Sequence, residues 1–232
     1  MNTERLSDRL AAVASYVEAG AVVADIGSDH AYLPCFLINT GKAQKAVAGE
    51  VVKGPFESAV KNVQRKGLSD AVTVRLANGL FAIEDHDAVD TVVIAGMGGT
   101  LIASILESGK EKLQQVKRII AQPNLHAKAI REWAVSNSWE ITDEAILKED
   151  GKIYEIIVLE RGQMTYDELD LLAGPFLLAS KSAVFSEKWN RELVEWNRVL
   201  RSLETADSTA AVTLKKEQLK RQIELVGKVL ES

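Results

Sequence analysis

The sequence is poor in the residues that mark disulfide-rich, metal-binding and membrane proteins. Among its 232 residues are one cysteine, three histidines and four prolines, and no apolar run reaches 18 residues. A lone cysteine, Cys35, allows neither an internal disulfide nor a thiolate zinc cluster, so we expect a reducing compartment, the cytoplasm. The short apolar runs argue against a membrane helix, and the charged amino terminus is unlike a secretory leader.

An excess of positive charge is absent as well. The chain has 28 basic and 33 acidic residues and a net charge of −5, which argues against a protein that coats nucleic acid without specificity. A local basic patch is compatible with that charge. We expect no metal site, because Cys35 belongs to an apolar helix, His86 to a polar loop and His126 to the start of a helix.

Short apolar runs alternate with amphipathic segments from residue 21 to about residue 162, as in a parallel sheet covered by helices. The predicted parallel strands are residues 21–26, 46–50, 72–76, 91–95 and 118–122. The segments between them have helical spacing. In one of these segments, Pro55 suits the first helical position and Gly67 the position after the last turn.

Two longer β-like runs, residues 139–147 and 153–160, end this alternation. They flank Asp150-Gly151, a dipeptide typical of a type I′ hairpin turn, in which both central residues need positive φ. The expected fold class is therefore α/β, with a mostly parallel seven-stranded sheet whose last strand is antiparallel.

The character of the chain changes after Gly162. Apolar residues take the alternating spacing of four and three that is typical of two helices zipped together, at Trp189, Leu193, Trp196, Leu200 and Leu203 and again at Leu219, Ile223, Val226 and Leu230. Residues 205–210 would connect these helices. We expect a ligand-binding domain over residues 1–165 and a helical coiled-coil hairpin domain over residues 166–232, whose seam is either structural or a docking surface.

The first predicted strand ends in the turn VADIGSDH. Gly27 permits a tight backbone path, but the second and third glycines of the dinucleotide fingerprint G-x-G-x-x-G are missing. Asp29 stands where a diphosphate would have to lie, which would set one anion against another. The turn, which also carries Asp25, Ser28 and His30, suits a ligand with positive charge or hydrogen-bond donors; His30 either contacts that ligand or caps the next helix.

Three further turns follow the ends of predicted strands. Glu50 ends the second strand, where an acid can accept the hydroxyls of a ribose, and Asn78-Gly79 follows the third, where an amide can contact an adenine edge. The glycine-rich segment AGMGGT begins at residue 95, after the fourth strand. Because ligands bind where parallel strands end, these turns predict a pocket for ribose, adenine and a cationic amino-acid group, the parts of S-adenosylmethionine.

The D-x-G-x-D turn, the ribose acid and the antiparallel last strand resemble those of class I S-adenosylmethionine-dependent methyltransferases. The segments VADIGSDHAYLP, AGEVVKGPFESA, VIAGMGG, QPN, EDGKIYEI and GPFLL resemble the TrmK family of tRNA (adenine-N1)-methyltransferases over nearly the whole chain. The resemblance implies their Rossmann-like fold, S-adenosylmethionine as cofactor and methyl transfer to N1 of adenosine 22 in the D arm of tRNA.

The turns and the resemblance together imply the residues of the site. The cofactor would be held by residues of the four turns, namely Asp25, Gly27, Ser28, Asp29, His30, Glu50, Asn78, Gly79, Ala95, Gly96, Met97 and Gly98. The target base would contact Met97, Gln122, Asn124 and Tyr154. The amide of Gln122 or Asn124 could read the exocyclic amine without adding charge. No (D/N)PP(Y/F) motif follows the fourth strand, which argues against methylation of the exocyclic amine itself.

The implied reaction sets requirements for the surroundings of the base. Adenine N1 already has a lone pair, so no base is needed, and it lies on the Watson-Crick edge, so the target must be unpaired. The methylated product is cationic; we therefore expect acceptors and no fixed cation nearby. We expect a monomeric enzyme whose basic side chains contact the phosphates of the tRNA. The candidates are Arg5 and Arg9 on one helical face, and Lys53, Lys61, Arg65, Lys66, Lys128 and Arg131.

Three alternatives stay open from the sequence. One is a methyltransferase for a small molecule or another nucleobase. A second is a catalytically silent module that binds RNA or a nucleotide. An NAD-linked oxidoreductase is the third, and both Asp29 and the final hairpin disfavour it.

Overall fold

Seven apolar runs form one sheet in the computed structural model, which describes residues 5–204 and 209–231. The strands are β1 (Ala21–Ile26), β2 (Ala43–Glu50), β3 (Val72–Leu76), β4 (Thr91–Gly98), β5 (Arg118–Leu125), β6 (Trp139–Glu149) and β7 (Lys152–Arg161). Their spatial order is β3-β2-β1-β4-β5-β7-β6. Strands β1 to β5 pair in parallel, whereas β7 runs antiparallel to β5 and β6. The expected fold class is confirmed.

The amphipathic segments between the strands form helices. They are α1 (Asp8–Ser15), α2 (Tyr32–Asn39), α3 (Lys53–Arg65), α4 (Gly99–Ser108) and α5 (Ala127–Ser136), with short 3-10 turns at Gly79–Ala82, Asp85–Asp87 and Lys110–Leu113. Pro55 lies in the first turn of α3, two residues later than predicted, and Gly67 follows the C-cap with φ of +68°. Asp150 and Gly151 both have positive φ, as a type I′ turn requires.

Strands β4 and β5 continue beyond their predicted ends. The added residues, GMG and PNL, are typical of loops, but a bulge between Ala95 and Met97 lets the strands keep pairing. Met97 is opposite Pro123, and Gly98 is opposite Leu125. The bulge therefore brings the glycine-rich turn and the QPN segment side by side.

Helix α1 begins too late to include Arg5, which the sequence analysis placed on one helical face with Arg9. It begins at Asp8, and the Ser7 hydroxyl accepts a hydrogen bond from the Leu10 N–H at 3.3 Å. Arg5 therefore precedes the helix and does not share a helical face with Arg9. Val13 and Ala14 of α1 are buried in an apolar cluster with residues of α2 and the sheet.

The prediction that Arg131 binds tRNA phosphates is wrong. Its side chain on α5 is completely buried, where Nε donates to Glu144 at 2.7 Å and Nη2 donates to Glu155 at 2.8 Å. Burial opposes the charge, but the two carboxylates outweigh it and raise the pKa of the guanidinium. Arg131 therefore joins α5 to the hairpin of β6 and β7. Lys53, Lys61, Arg65 and Lys66 are exposed, as a phosphate contact requires.

The chain divides into two compact units, Met1–Thr165 and Tyr166–Ser232. The second contains α6 (Glu168–Ala173), α7 (Pro175–Ser180), α8 (Ala183–Glu204) and α9 (Ala210–Glu231). Helices α8 and α9 pack against each other, and Trp189, Leu219 and Val226 of the predicted seam are buried. Residues 205–208 of the predicted connection lie outside the described residues.

Two findings bear on membrane and metal binding. Within residues 5–204 and 209–231, no helix combines the length and apolarity needed to cross a membrane. The same segments contain no cluster of three or more His, Cys, Asp or Glu side chains suited to a metal ion.

Candidate active site

The predicted turns lie at the carboxyl edge of the parallel strands, on either side of β1. Strand β1 pairs with β2 on one side and with β4 on the other, so the direction in which the chain progresses across the sheet reverses here. Such a reversal opens a crevice at the strand ends, where ligands of doubly wound proteins bind. The turns after β1 and β2 and the glycine-rich end of β4 surround this point. The turn after β3 lies further from it, because β3 is the edge strand beyond β2.

Gly27 gives the first turn its shape. Its φ is +73°, and a Cβ built there would lie 2.1 Å from Cε of Met97, so a larger residue would displace the Met97 side chain. The N–H groups of Gly27 and Ser28 donate to the carbonyl of Gly49 at 2.9 and 3.1 Å. The turn is thereby tied to β2.

The residues that follow have an uncommon backbone conformation. Asp29, His30 and Ala31 have φ values of 32°, 61° and 56°, a conformation with a free-energy cost that is found most often at functional sites. His30 Nε2 lies 3.3 Å from a carboxylate oxygen of Asp29, and its ring lies 5.4 Å from that of Tyr32. Ala31 is the N-cap of α2 without a side-chain hydrogen bond, so His30 does not cap the helix.

Asn62 supports this conformation, although sequence reasoning did not identify it. Its buried amide on α3 donates to the His30 carbonyl at 2.9 Å. An asparagine on a helix gives no sequence signal for such a contact, because the contact depends on where the helix packs.

Asp25 is a buried carboxyl group at the end of β1. Its side chain is 4% exposed, and Oδ2 accepts a hydrogen bond from the Ser28 hydroxyl at 2.6 Å. Burial raises its pKa to about 7; the Ser28 hydrogen bond opposes this shift and the negative charge of Glu50 adds to it. A cationic ligand would favour the ionised carboxylate, so the site is prepared for positive charge.

Glu50 is the second buried acid, at the end of β2. Oε1 accepts the N–H of Asp29 at 2.9 Å, and Oε2 accepts the N–H of Val51 at 3.1 Å. Each carboxylate oxygen has a further lone pair for a ligand hydroxyl. Two backbone donors therefore fix an acceptor pair where the sequence predicts ribose.

The glycine-rich segment of residues 95–98 forms the bulged end of β4, and two amide side chains of β5 hold it. Oε1 of Gln122 accepts the N–H of Gly96 at 3.0 Å, and Nδ2 of Asn124 donates to the carbonyl of Gly96 at 2.8 Å. Gln122 is completely buried, whereas Asn124 is exposed. The structure thus brings three predicted site residues together and gives Gln122 protein partners.

Arg9 also lies at this segment, a position that the sequence did not predict. Its guanidinium donates to Gln122 and lies 5.3 Å from the centre of the Tyr154 ring. A cation therefore lies against two residues that were predicted to contact the target base, where the sequence analysis expected none. This contact arises from the packing of α1, which the periodicity of that helix does not reveal.

The turn after β3 carries an exposed amide side chain. Asn78 is exposed, and Gly79 has φ of +56°. A Cβ built on Gly79 would lie 3.0 Å from Ile105 of α4. This glycine lets the turn approach α4 and leaves the Asn78 amide exposed.

These groups fit S-adenosylmethionine better than a dinucleotide. Asp25 and Asp29 suit an ammonium group, and Glu50 suits ribose hydroxyls. A diphosphate would need bare amides at the start of α2, but the acid Asp29 lies two residues before the N-cap of that helix. Fold and site together define a class I S-adenosylmethionine-dependent methyltransferase.

Comparison with known proteins identifies the family. Residues 23–228 match the model of the TrmK family, described as tRNA (adenine(22)-N(1))-methyltransferase. The chain is 46% identical over 237 aligned residues to the tRNA (adenine(22)-N(1))-methyltransferase of Bacillus subtilis, with 100% of this chain and 99% of that protein covered. The chain belongs to the TrmK family, and the expected family, activity and cofactor are confirmed.

Solved structures agree with this assignment. The crystal structure of the Bacillus subtilis m1A22 tRNA methyltransferase TrmK matches with a TM-score of 0.92 and 43% identity, covering 98% of this chain and 99% of that one. A Streptococcus pneumoniae protein solved in complex with S-adenosyl-L-methionine matches with a TM-score of 0.88 and 45% identity, covering 97% of this chain and 100% of that one.

Proposed function

We propose that this chain methylates N1 of adenosine 22, an unpaired base of the tRNA D arm, at the carboxyl edge of β1, β2 and β4. The observation that supports this most strongly is the pair of buried acids, Asp25 and Glu50, beside the turn at Gly27. Such a pair suits a cationic nucleoside and repels a diphosphate.

The cofactor-binding roles follow from the chemistry of each turn. Asp25 and Asp29, with the backbone at Gly27, Ser28 and His30, receive the methionine end. Glu50 accepts the ribose hydroxyls. Asn78 and Gly79 meet the adenine ring, and the main chain of residues 95–98 lies along the reactive centre.

When bound, S-adenosylmethionine supplies an electrophilic methyl group; the N1 lone pair forms the new carbon–nitrogen bond while the sulfur keeps the electrons of the broken bond. The protein's task is alignment, which can contribute roughly 7–11 kcal/mol when the reacting atoms are held at near-attack distance. No side chain has to remove a proton from N1.

The target base would enter between the bulged end of β4, residues 95–98, and the QPN segment of β5. Asn124 and Met97 are accessible enough to contact it, and the Tyr154 ring offers a stacking face. Gln122 is buried and hydrogen-bonded at both ends of its amide, so its role is to hold the bulged end of β4.

The helical unit, residues 166–232, would dock another part of the tRNA. Exposed cations on α9, among them Lys215 and Lys220, are suited to phosphate contact. We expect the enzyme to act as a monomer in the cytoplasm.

The direct test is incubation of the protein with unmodified tRNA and labelled S-adenosylmethionine, followed by mass spectrometry of the nucleosides. We expect N1-methyladenosine and arrest of reverse transcription at position 22. A transcript with guanosine at position 22 is the matched control and should remain unlabelled.

Variants separate an enzyme from a silent binding module. Asp25→Ala and Glu50→Ala should reduce methylation in single-turnover assays, because they remove acids from the cofactor site. Methylation of free nucleosides without arrest in tRNA, or ligand binding without turnover by the wild type, would contradict the proposal.

A further inference from the structure

Helix α1 places a guanidinium against the bulged end of β4, residues 95–98. Arg9 Nη1 donates to Oε1 of Gln122, and the guanidinium carbon lies 5.3 Å from the centre of the Tyr154 ring. A Cβ built on Gly96 would lie 3.5 Å from the same Nη1. Gln122 and Tyr154 therefore hold this cation close to Gly96, beside the candidate methyl-transfer site.

Arg9 fixes the orientation of the Gln122 amide. Oε1 accepts from both Arg9 and the Gly96 N–H, so a flipped amide would set its NH₂ group against two donors. In the observed orientation, Nε2 donates to the Pro123 carbonyl at 2.9 Å and lies 3.4 Å from Oδ1 of Asn124. The orientation of Gln122 thus also sets that of Asn124.

The two amides hold Gly96 from both sides. Its N–H donates to Gln122, and its carbonyl accepts from Asn124. Gly96 has φ of +79° and no side chain that could restrict it. The position of this main chain therefore depends on the network that ends at Arg9.

Arg9 is itself anchored by the final hairpin. Oε1 of Glu149, at the end of β6, accepts the N–H of Asp8 at 2.5 Å and that of Arg9 at 3.3 Å. A carboxylate at a helix amino terminus satisfies free N–H groups and interacts favourably with the helix dipole. Glu149 thereby keeps the start of α1 over the site.

We propose that Arg9 is a positioning residue for methyl transfer, which acts through Gln122 and Asn124 to fix the main chain of residues 95–98 beside the target adenine. The family model matches from residue 23 onward, so Arg9 lies outside the matched segment. The inference rests on the proposed methyl transfer to tRNA.

The test compares steady-state methylation of tRNA by Arg9→Met and Arg9→Lys with the wild type. Arg9→Met keeps an apolar stem but loses the donors, and we expect kcat to fall about 10–100-fold at saturating tRNA and cofactor, as for other small misplacements. Arg9→Lys keeps the positive charge without the planar guanidinium group, so its kcat should lie between that of Arg9→Met and that of the wild type. Lys117→Met, which removes a charge next to the opposite end of β5, is the control and should leave kcat unchanged.

Two further measurements distinguish positioning from a general structural role. Arg9→Met and Gln122→Leu should be non-additive, with the double variant losing no more than the larger single loss. Added guanidinium ion should restore part of the activity of Arg9→Ala. Calorimetry with S-adenosylhomocysteine and thermal melting check that each variant is folded; if Arg9→Met is unfolded, Glu149→Ala provides the second test and should lower kcat in the same direction.

Unchanged kcat in Arg9→Met would overturn the inference. It would also be overturned by a raised KM for tRNA at unchanged kcat with a salt dependence reduced by about one charge, since that result indicates a direct phosphate contact. A wild type that produces no N1-methyladenosine contradicts the proposed function, whereas an active wild type with an equally active Arg9→Met contradicts this inference alone.

Discussion

At the residue scale, the first turn combines a glycine that cannot be replaced freely with a carboxyl group that cannot ionise freely. Gly27 has positive φ and lies against Met97, and Asp25 is buried beside Glu50. Both features cost folding free energy and both favour binding of a cationic ligand. Substitutions at these two residues should therefore affect stability and binding differently.

Gly27→Ala should weaken the binding of S-adenosylhomocysteine at least tenfold, as measured by calorimetry, because its Cβ would displace Met97. Gly41→Ala is the matched control: Gly41 has φ of +68° and no atom within 4 Å of a built Cβ. Both variants should lose about 1–2 kcal/mol of unfolding free energy from backbone strain. Equal cofactor affinity in the two variants would show that the space at Gly27 has no role in binding.

Asp25 makes stability depend on pH. Because its pKa is raised from 3.8 to about 7, its contribution to stability is complete below about pH 4 and is lost as pH rises through 7. The loss is at most about 4 kcal/mol. Asp25→Asn cannot ionise, so the difference in melting temperature between Asp25→Asn and the wild type should become more positive from pH 5 to pH 8 in the absence of cofactor.

The same shift predicts how cofactor binding depends on pH. An ammonium group beside Asp25 favours the carboxylate, so binding near pH 6 should release a proton, which calorimetry detects by comparing buffers of different ionisation enthalpy. In Asp25→Asn this proton release should disappear. Parallel stability curves for the two proteins, together with binding that releases no proton, would contradict the assigned pKa.

At the element scale, the buried group of Arg131, Glu144 and Glu155 joins α5 to the hairpin of β6 and β7. Each charge depends on the others, because an uncompensated charge in the interior is costly. The hairpin also carries Tyr154 and Glu149, which contact Arg9. The fixed position of the hairpin thus matters for the candidate active site as well as for stability.

Arg131→Met should lower the free energy of unfolding by about 3–5 kcal/mol, because it leaves two buried carboxylates without their partner. Denaturation in urea measures this loss. Replacing all three members with apolar residues of similar volume should recover most of it. Arg191→Met is the control, since Arg191 pairs with Glu187 on an exposed helix surface. The urea concentration at the midpoint of unfolding should hardly change in this variant.

At the scale of the whole molecule, the net charge of −5 means that tRNA must be bound by local groups of cations. The exposed lysines of α3 and of the helical unit are the candidates. The proposed cofactor site consists of turns of the first unit only. Binding of tRNA and binding of cofactor should therefore be separable by mutation.

Replacing Lys215 and Lys220 together with glutamine should raise the KM for tRNA and reduce its salt dependence by up to about two charges. The affinity for S-adenosylhomocysteine should be unchanged in calorimetry. Lys110→Gln, at an exposed pair with Glu107 in the first unit, is the control for loss of charge. An unchanged KM in the double variant would contradict docking by α9.

The strands, the hairpin and the polar turns could be predicted from the sequence, because alternation, positive-φ turn residues and polar residues after apolar runs are local signals. That Asp25, Gly27 and Glu50 lie at the same edge of the sheet could also be predicted, since parallel strands bring their ends to one edge.

Only the tertiary structure decided the roles of three other residues. From the sequence alone, Arg131 looks like any cation on an amphipathic helix, Arg9 looks like a phosphate contact, and Gln122 looks like a base contact. Their partners in the folded protein change these interpretations. Those partners lie far along the chain: Glu144 and Glu155 for Arg131, and Gln122 itself for Arg9. A side chain's charge is fixed by its own chemistry, but its burial and hydrogen bonds depend on which distant segments pack against it, and local sequence does not specify them.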